Sequence, residues 1–68
     1  MKISARNVLE GKIVEVHKGS TTAHVTLDIK GLKITASITN EAVDELGLKA
    51  GGAASAVIKA SDVLVAVK

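Results

Sequence analysis

The 68-residue sequence predicts an all-β fold of five strands with one short helix between the third and the fourth. Three observations carry this prediction. Apolar and polar residues alternate from Thr22 to Thr39, interrupted only at Lys30-Gly31, which is the period of strands with one buried face. Runs rich in Val and Ile stand at both ends of the chain. Between these β-like regions lies one short stretch, Asn40 to Leu46, with the start and stop signals of a helix.

The first strand runs from Val8 to Val16, where Val8, Ile13, Val14 and Val16 are broken by Gly11, a residue that marks a bulge or a sharp bend. Lys18-Gly19-Ser20-Thr21 reads as a turn. In the second strand Ala23, Val25, Leu27 and Ile29 face inward; in the third Leu32, Ile34, Ala36 and Ile38 do so, with Lys30-Gly31 closing an antiparallel hairpin between them. Asn40 is placed as the N-cap of a two-turn helix ending at Gly47, with Val43 and Leu46 plugging one end of a barrel. The last strands are expected over Ala53 to Lys59 and Val63 to Val67, joined by a tight Ala60-Ser61-Asp62 connection. Five strands in this order, with a helix after the third, correspond to an OB-like Greek-key barrel forming a single domain over residues 1–68.

Composition limits what such a barrel is able to do. A domain of this size buries only about 60% of the surface its unfolded chain exposes. Cysteine is absent, so disulfides do not reinforce it, and His17 and His24 are too few for structural zinc. Hydrophobic residues make up 47% of the chain although Phe, Tyr and Trp are all missing. That is more apolar surface than so small an interior hides, which predicts a homo-oligomer. Val57 beside Ile58, and Leu64 beside Val65, put apolar side chains on both faces of the last strands and point the same way.

The net charge is +2, with nine basic residues scattered among seven acidic ones, which suits a small anion better than a DNA duplex. No window approaches a membrane span. The polar opening Met1-Lys2-Ile3-Ser4 is unlike a secretory signal, and a cytoplasmic location is expected. The carboxylates Glu10, Glu15, Asp28, Asp44 and Asp62 accompany no nucleophile and base pattern, so no enzyme is expected. His17 and His24 straddle a turn; without a third ligand they read as solvated strand residues, and no metal site is assigned to them.

Chemistry is concentrated at the two ends. Ser4-Ala5-Arg6-Asn7 and Lys59-Ala60-Ser61-Asp62 bring together a guanidinium, an ammonium, hydroxyls and small residues that bare their backbone N–H groups. These are the donors a tetrahedral oxyanion needs once its water is stripped. Ser37, Thr39 and the start of the helix at Asn40 to Ala42 offer further donors.

The ordered set Ser4-Ala5-Arg6-Asn7, Gly11-Lys12-Ile13, Ile38-Thr39, Leu46-Gly47-Leu48 and Lys59-Ala60-Ser61-Asp62-Val63 resembles the molbindin (Mop) family of small molybdate-binding proteins over nearly the whole chain. The resemblance implies an OB-like barrel assembled as a hexamer, a trimer of dimers, that binds molybdate or tungstate between subunits and stores or buffers it in the cytoplasm. It places Ser4, Arg6, Thr39, Lys59, Ala60 and Ser61 in the principal oxyanion site, Ala60 through its backbone alone. The resemblance also implies oxyanion binding on the threefold axis, for which the turn Lys18, Gly19, Ser20, Thr21 and Thr22 is the candidate, the alternative being a plain hairpin turn. Some relatives carry a serine where this chain has Ala42, so one hydroxyl is missing here.

The alternative is an OB-type module for single-stranded nucleic acid. Such modules stack bases on aromatic side chains, and this chain has none. A structural oligomer with a vestigial pocket is a third reading, separated from the first by a molybdate titration.

Overall fold

The structure is a computed structural model that describes residues 3–68; Met1 and Lys2, part of the polar opening read above, lie outside the described residues. Four strands form, β1 (Asn7–Lys18), β2 (Thr22–Ile29), β3 (Leu32–Thr39) and β4 (Ala53–Ile58), with α1 (Asn40–Leu46) between β3 and β4 and a 3-10 turn over Ala60–Asp62. All pairings are antiparallel and the spatial order is β3-β2-β1-β4. Three consecutive strands with a fourth returning beside the first is a Greek key.

The length of β1 explains how one strand organises the sheet. Its first half, Asn7 to Lys12, pairs with Ile58 to Ala53 of β4; its second half, Lys12 to Lys18, pairs with Asp28 to Ala23 of β2. The handover coincides with a bulge, because the register shifts between Ile13 and Glu15 and leaves Val14 as the extra residue. A bulge bends its strand and increases the local twist, and here it curls the sheet. Gly11 lies three residues before the bulge rather than in it. Its requirement is proximity: a Cβ there would lie 2.5 Å from the Asp28 carbonyl oxygen and 2.8 Å from Ile29 Cγ1.

At the inner side of the bend, Ile13 donates its N–H to Gly52 O and accepts from Gly51 N, each at 2.8 Å. The loop after α1 is thereby fastened to the centre of β1. The core gathers at the same place: Ile13, Ala23, Val25, Leu27 and Val43 are buried, with Val16, Ile29, Ile38, Leu48, Ala54 and Ala56 packed around them. The alternation in β2 and β3 is realised with one exception. Leu32, the first residue after the hairpin turn on an edge strand, is 69% exposed.

The helix differs from expectation at both ends. Thr39, not Asn40, is the N-cap: its backbone is extended and its Oγ1 accepts from Ala42 N at 3.0 Å. Asn40 is the first helical residue and its side chain turns instead to the β1–β2 turn, donating from Nδ2 to Gly19 O at 3.0 Å. At the other end Gly47 takes the left-handed conformation, φ 64°, that releases the chain, as expected of a C′ glycine. Val43 plugs the core, but Leu46 points outward and Leu48, whose N–H bonds Val43 O, takes the inward place.

The fifth strand does not form. Val63 to Lys68 leave the 3-10 turn without a β-partner, and Leu64, Val65 and Val67 are about nine-tenths exposed. A strand needs a neighbour for its backbone hydrogen bonds, and the described chain offers this segment none. The fold class stands, as a mostly β, curled antiparallel sheet with one short helix.

Between the two edge strands, β3 and β4, lies an apolar groove of about 560 Å³ lined by Ile34, Ile38, Ala54, Ala56 and Ile58 among others. The chain exposes 5473 Å². Folded monomers of this mass expose about 4000 Å² by the size scaling of compact proteins. No helix among the described residues is long and apolar enough to cross a membrane.

Candidate functional site

The β1–β4 ladder decides where the two terminal clusters go. Its last pair is Asn7 with Ile58, and the Asn7 side chain reinforces it by donating from Nδ2 to Ile58 O at 3.1 Å. Arg6 and Lys59 flank this pair, one on each chain segment, so residues more than fifty positions apart in sequence emerge at the same end of the sheet. Both are exposed, and neither forms an ion pair among the described residues. Ser4 and Arg6 each sit in a bend before β1, with Ala5 between them half-buried.

Beyond Lys59 the chain tightens into the 3-10 turn, in which Asp62 N bonds Lys59 O at 2.9 Å and Val63 N bonds Ala60 O at 3.2 Å. Lys59 caps this turn with no side-chain bond. The N–H groups of Ala60 and Ser61 therefore open the turn without a backbone or side-chain acceptor among the described residues, as first-turn donors do. One guanidinium, one ammonium, two serine hydroxyls and two free amides thus belong to the two segments that adjoin at the Asn7–Ile58 pair. No carboxylate but that of Asp62 belongs to the two clusters.

Thr39 is not part of this group within the chain. It pairs with Thr22, at the turn end of β1, whereas Arg6 and Lys59 mark the opposite end of that 12-residue strand. Its hydroxyl accepts from Ala42 N, which leaves the hydroxyl hydrogen free to donate outward. The sheet therefore places Ser4, Arg6, Lys59, Ala60 and Ser61 toward one end and Thr39 at the other.

The stretch from Lys18 to Thr22 is a turn, as read, closed by Gly19 N to Thr22 O at 2.7 Å. It is also fastened to the helix. Asn40 holds it twice, by its backbone N–H to Thr21 O at 2.9 Å and by its side chain to Gly19 O, and Lys18 Nζ is paired with Asp44 Oδ1. The Lys18 charge is thus engaged internally, through an exposed ion pair of the kind that contributes about 0–1 kcal/mol. The hydroxyls of Ser20, Thr21 and Thr22 remain exposed. Asn40 Oδ1 is buried without a partner. The part Asn40 plays as a tie was missed in the sequence, where an amide after a threonine reads as a cap.

Comparison with known proteins concerns the chain as a whole. Residues 3–65 match the TOBE domain model. The chain is 52% identical over 66 residues to molybdenum-pterin-binding protein 1 of Clostridium pasteurianum, covering 96% of this chain and 97% of that one. A molybdate-binding protein from Sporomusa ovata has the same structure, with a TM-score of 0.95 at 39% identity over 98% of this chain and all of that one. The cytoplasmic molybdate-binding protein ModG, in a form with molybdate bound, superposes with a TM-score of 0.91 at 51% identity over 94% of this chain and 46% of its own. With the OB-like sheet, the ordered motifs and these identities in agreement, the chain belongs to the TOBE domain family and, within it, to the molbindin (Mop) proteins.

Proposed function

We propose that this protein binds molybdate, and tungstate by the same chemistry, without catalysis, and that it stores or buffers the anion in the cytoplasm. The observation that carries the reading is the Asn7–Ile58 pair, which sets Arg6 and Lys59 at one end of the sheet beside the unpaired amides of Ala60 and Ser61. Two cations offset a tetrahedral dianion, and neutral donors satisfy its remaining oxygens. The relatives support the identity of the anion, since they are described as molybdate-binding or molybdenum-pterin-binding proteins. With charge-assisted bonds contributing about 1.5–3 kcal/mol each, a few of them reach the roughly −8 kcal/mol of micromolar binding.

In this reading the working form is a homo-oligomer, a hexamer built as a trimer of dimers, and a partner copy brings Thr39 to the cluster formed by Ser4, Arg6, Lys59, Ala60 and Ser61. The excess exposed surface, the groove between β3 and β4 and the uncovered Val63–Val67 segment support assembly. The Lys18–Thr22 turn serves as a second oxyanion site through its three hydroxyls, with Lys18 leaving Asp44 to join them.

Calorimetric titration of the wild-type chain with molybdate tests the function. Saturable binding at micromolar concentrations is expected, with sulfate a weak competitor; no heat with either molybdate or tungstate would refute the proposal. Assembly is tested separately by sedimentation. The pair Leu64→Asp and Val67→Asp places charges on exposed positions that a lone chain tolerates, so a shift from oligomer to monomer is expected, and an unchanged mass removes this segment from the interface.

A further inference from the structure

The register of the β1–β2 ladder sets His17 directly opposite His24. Both side chains are exposed on the outer face of the sheet, since their neighbours Val16, Ala23 and Val25 point into the protein. Opposed residues on antiparallel strands hold their Cβ atoms about 4.5–5.5 Å apart, close enough for two imidazoles to converge on one point above the sheet.

The surroundings favour a cation there. Glu15 precedes His17 by two residues on the same face and is opposed by Thr26, while Ser37 of β3 stands opposite His24. These neighbours supply one carboxylate and two hydroxyls, and no lysine or arginine. The nearest cation in sequence, Lys18, pairs with Ala23 on the alternate side of the ladder and reaches Asp44 on the helix.

We propose that His17 and His24 form a two-imidazole chelate for a divalent first-row transition ion, with Cu²⁺ held most strongly and Ni²⁺ and Zn²⁺ less so. Neutral imidazole nitrogen is a ligand that suits these ions, and their order follows the general affinity series for nitrogen sites. No group of three His, Cys, Asp or Glu residues poised for a metal occurs among the described residues. The site is therefore open, with water completing the coordination, rather than a closed structural site. Because its two ligands come from different strands in fixed register, the ion bridges β1 and β2 and binds the folded chain in preference to the unfolded one. None of the residues of the principal oxyanion site takes part.

Nickel is the probe for the test, added as NiCl₂ to the full chain, with calorimetry and thermal unfolding as readouts on the wild type, His17→Ala, His24→Ala and the double variant. The wild type is expected to bind one ion per chain and to unfold at a higher temperature with nickel than without. Each single variant is expected to lose affinity by about 100-fold, the scale on which a second tethered contact adds to the first, and to lose the nickel-dependent rise as well. All four proteins unfold alike without nickel, since both positions are exposed. Single variants that keep wild-type affinity indicate two independent imidazoles and overturn the chelate. Nickel binding that survives in the double variant at wild-type strength lies elsewhere and overturns it too.

Discussion

Arg6→Ala is expected to weaken molybdate binding by about 10- to 100-fold, the equivalent of one charge-assisted hydrogen bond at about 1.5–3 kcal/mol. Lys59→Ala is expected to do the same, and the double variant to show no binding at micromolar concentrations. Both side chains are exposed and outside the core, so the fold and the proposed oligomer are expected to persist, which sedimentation of the same samples checks. Because the two cations would grip one anion, their losses will not simply add. Arg6→Lys separates charge from shape: it keeps the cation and loses the planar fork, and an intermediate affinity is expected. Wild-type binding by Arg6→Ala would remove the head cluster from the site and leave the tail to act alone.

The largest effect on stability belongs to Ile13. It is 1% exposed, is opposed by Leu27 across the ladder, and its backbone carries both bonds that fasten the loop at Gly51 and Gly52. Ile13→Ala removes three carbons from the centre of a core of five buried residues, at an expected cost of about 2–5 kcal/mol. A domain of this length has a total stability of about 3–10 kcal/mol. Most of the folded population is therefore at risk, and denaturant titration at fixed chain concentration measures the loss. Leu46→Ala, at a position of the same chemistry but 69% exposed, is expected to change stability by less than about 0.5 kcal/mol. A small effect at Ile13 would mean that the core repacks around the vacancy.

The parts of the fold legible in the sequence are those fixed by nearest neighbours. Period-two alternation placed β2 and β3 because each has one face on the core, and the two-residue Lys30-Gly31 turn joins them: both residues have positive φ, and Gly31 N bonds Asp28 Oδ1. The N-cap moved by one residue because Thr39 and Asn40 are both good caps, and the choice depended on Gly19, a distant acceptor that draws the Asn40 amide away. The segment Val63 to Val67 carries a strand pattern that is real as sequence; what it lacks in the described chain is a backbone to pair with, which local pattern does not encode.

The candidate site divides in the same way. Its chemistry was legible, since a guanidinium, an ammonium and small hydroxyl residues announce an anion. That its two halves belong together was also expected; the register that sets them side by side was not legible, because it depends on β1 exchanging β2 for β4 as partner around a bulge at Val14, and no short-range signal reports that exchange. The engagement of Lys18 by Asp44 and the opposition of His17 to His24 were hidden for a related reason: both depend on the exact register of the hairpin and the placement of the helix over it.

The edges of β3 and β4, uncovered among the described residues, also bear on how newly made chains associate. Each edge offers a row of unpaired N–H and C=O groups, the groove between them is apolar, and Val63 to Val67 is a β-prone run without a charge or a proline. Such a chain is a template for any extended segment that reaches it, including the same segment of another copy in the wrong register. Lys59, Asp62, Lys68 and the polar outer residues of β3, Lys33, Thr35, Ser37 and Thr39, are the local deterrents among the described residues. In the proposed oligomer, newly made chains thus face a race between ordered assembly and fibrous or amorphous association, and at high expression the expected outcome is set by how fast correct partners meet.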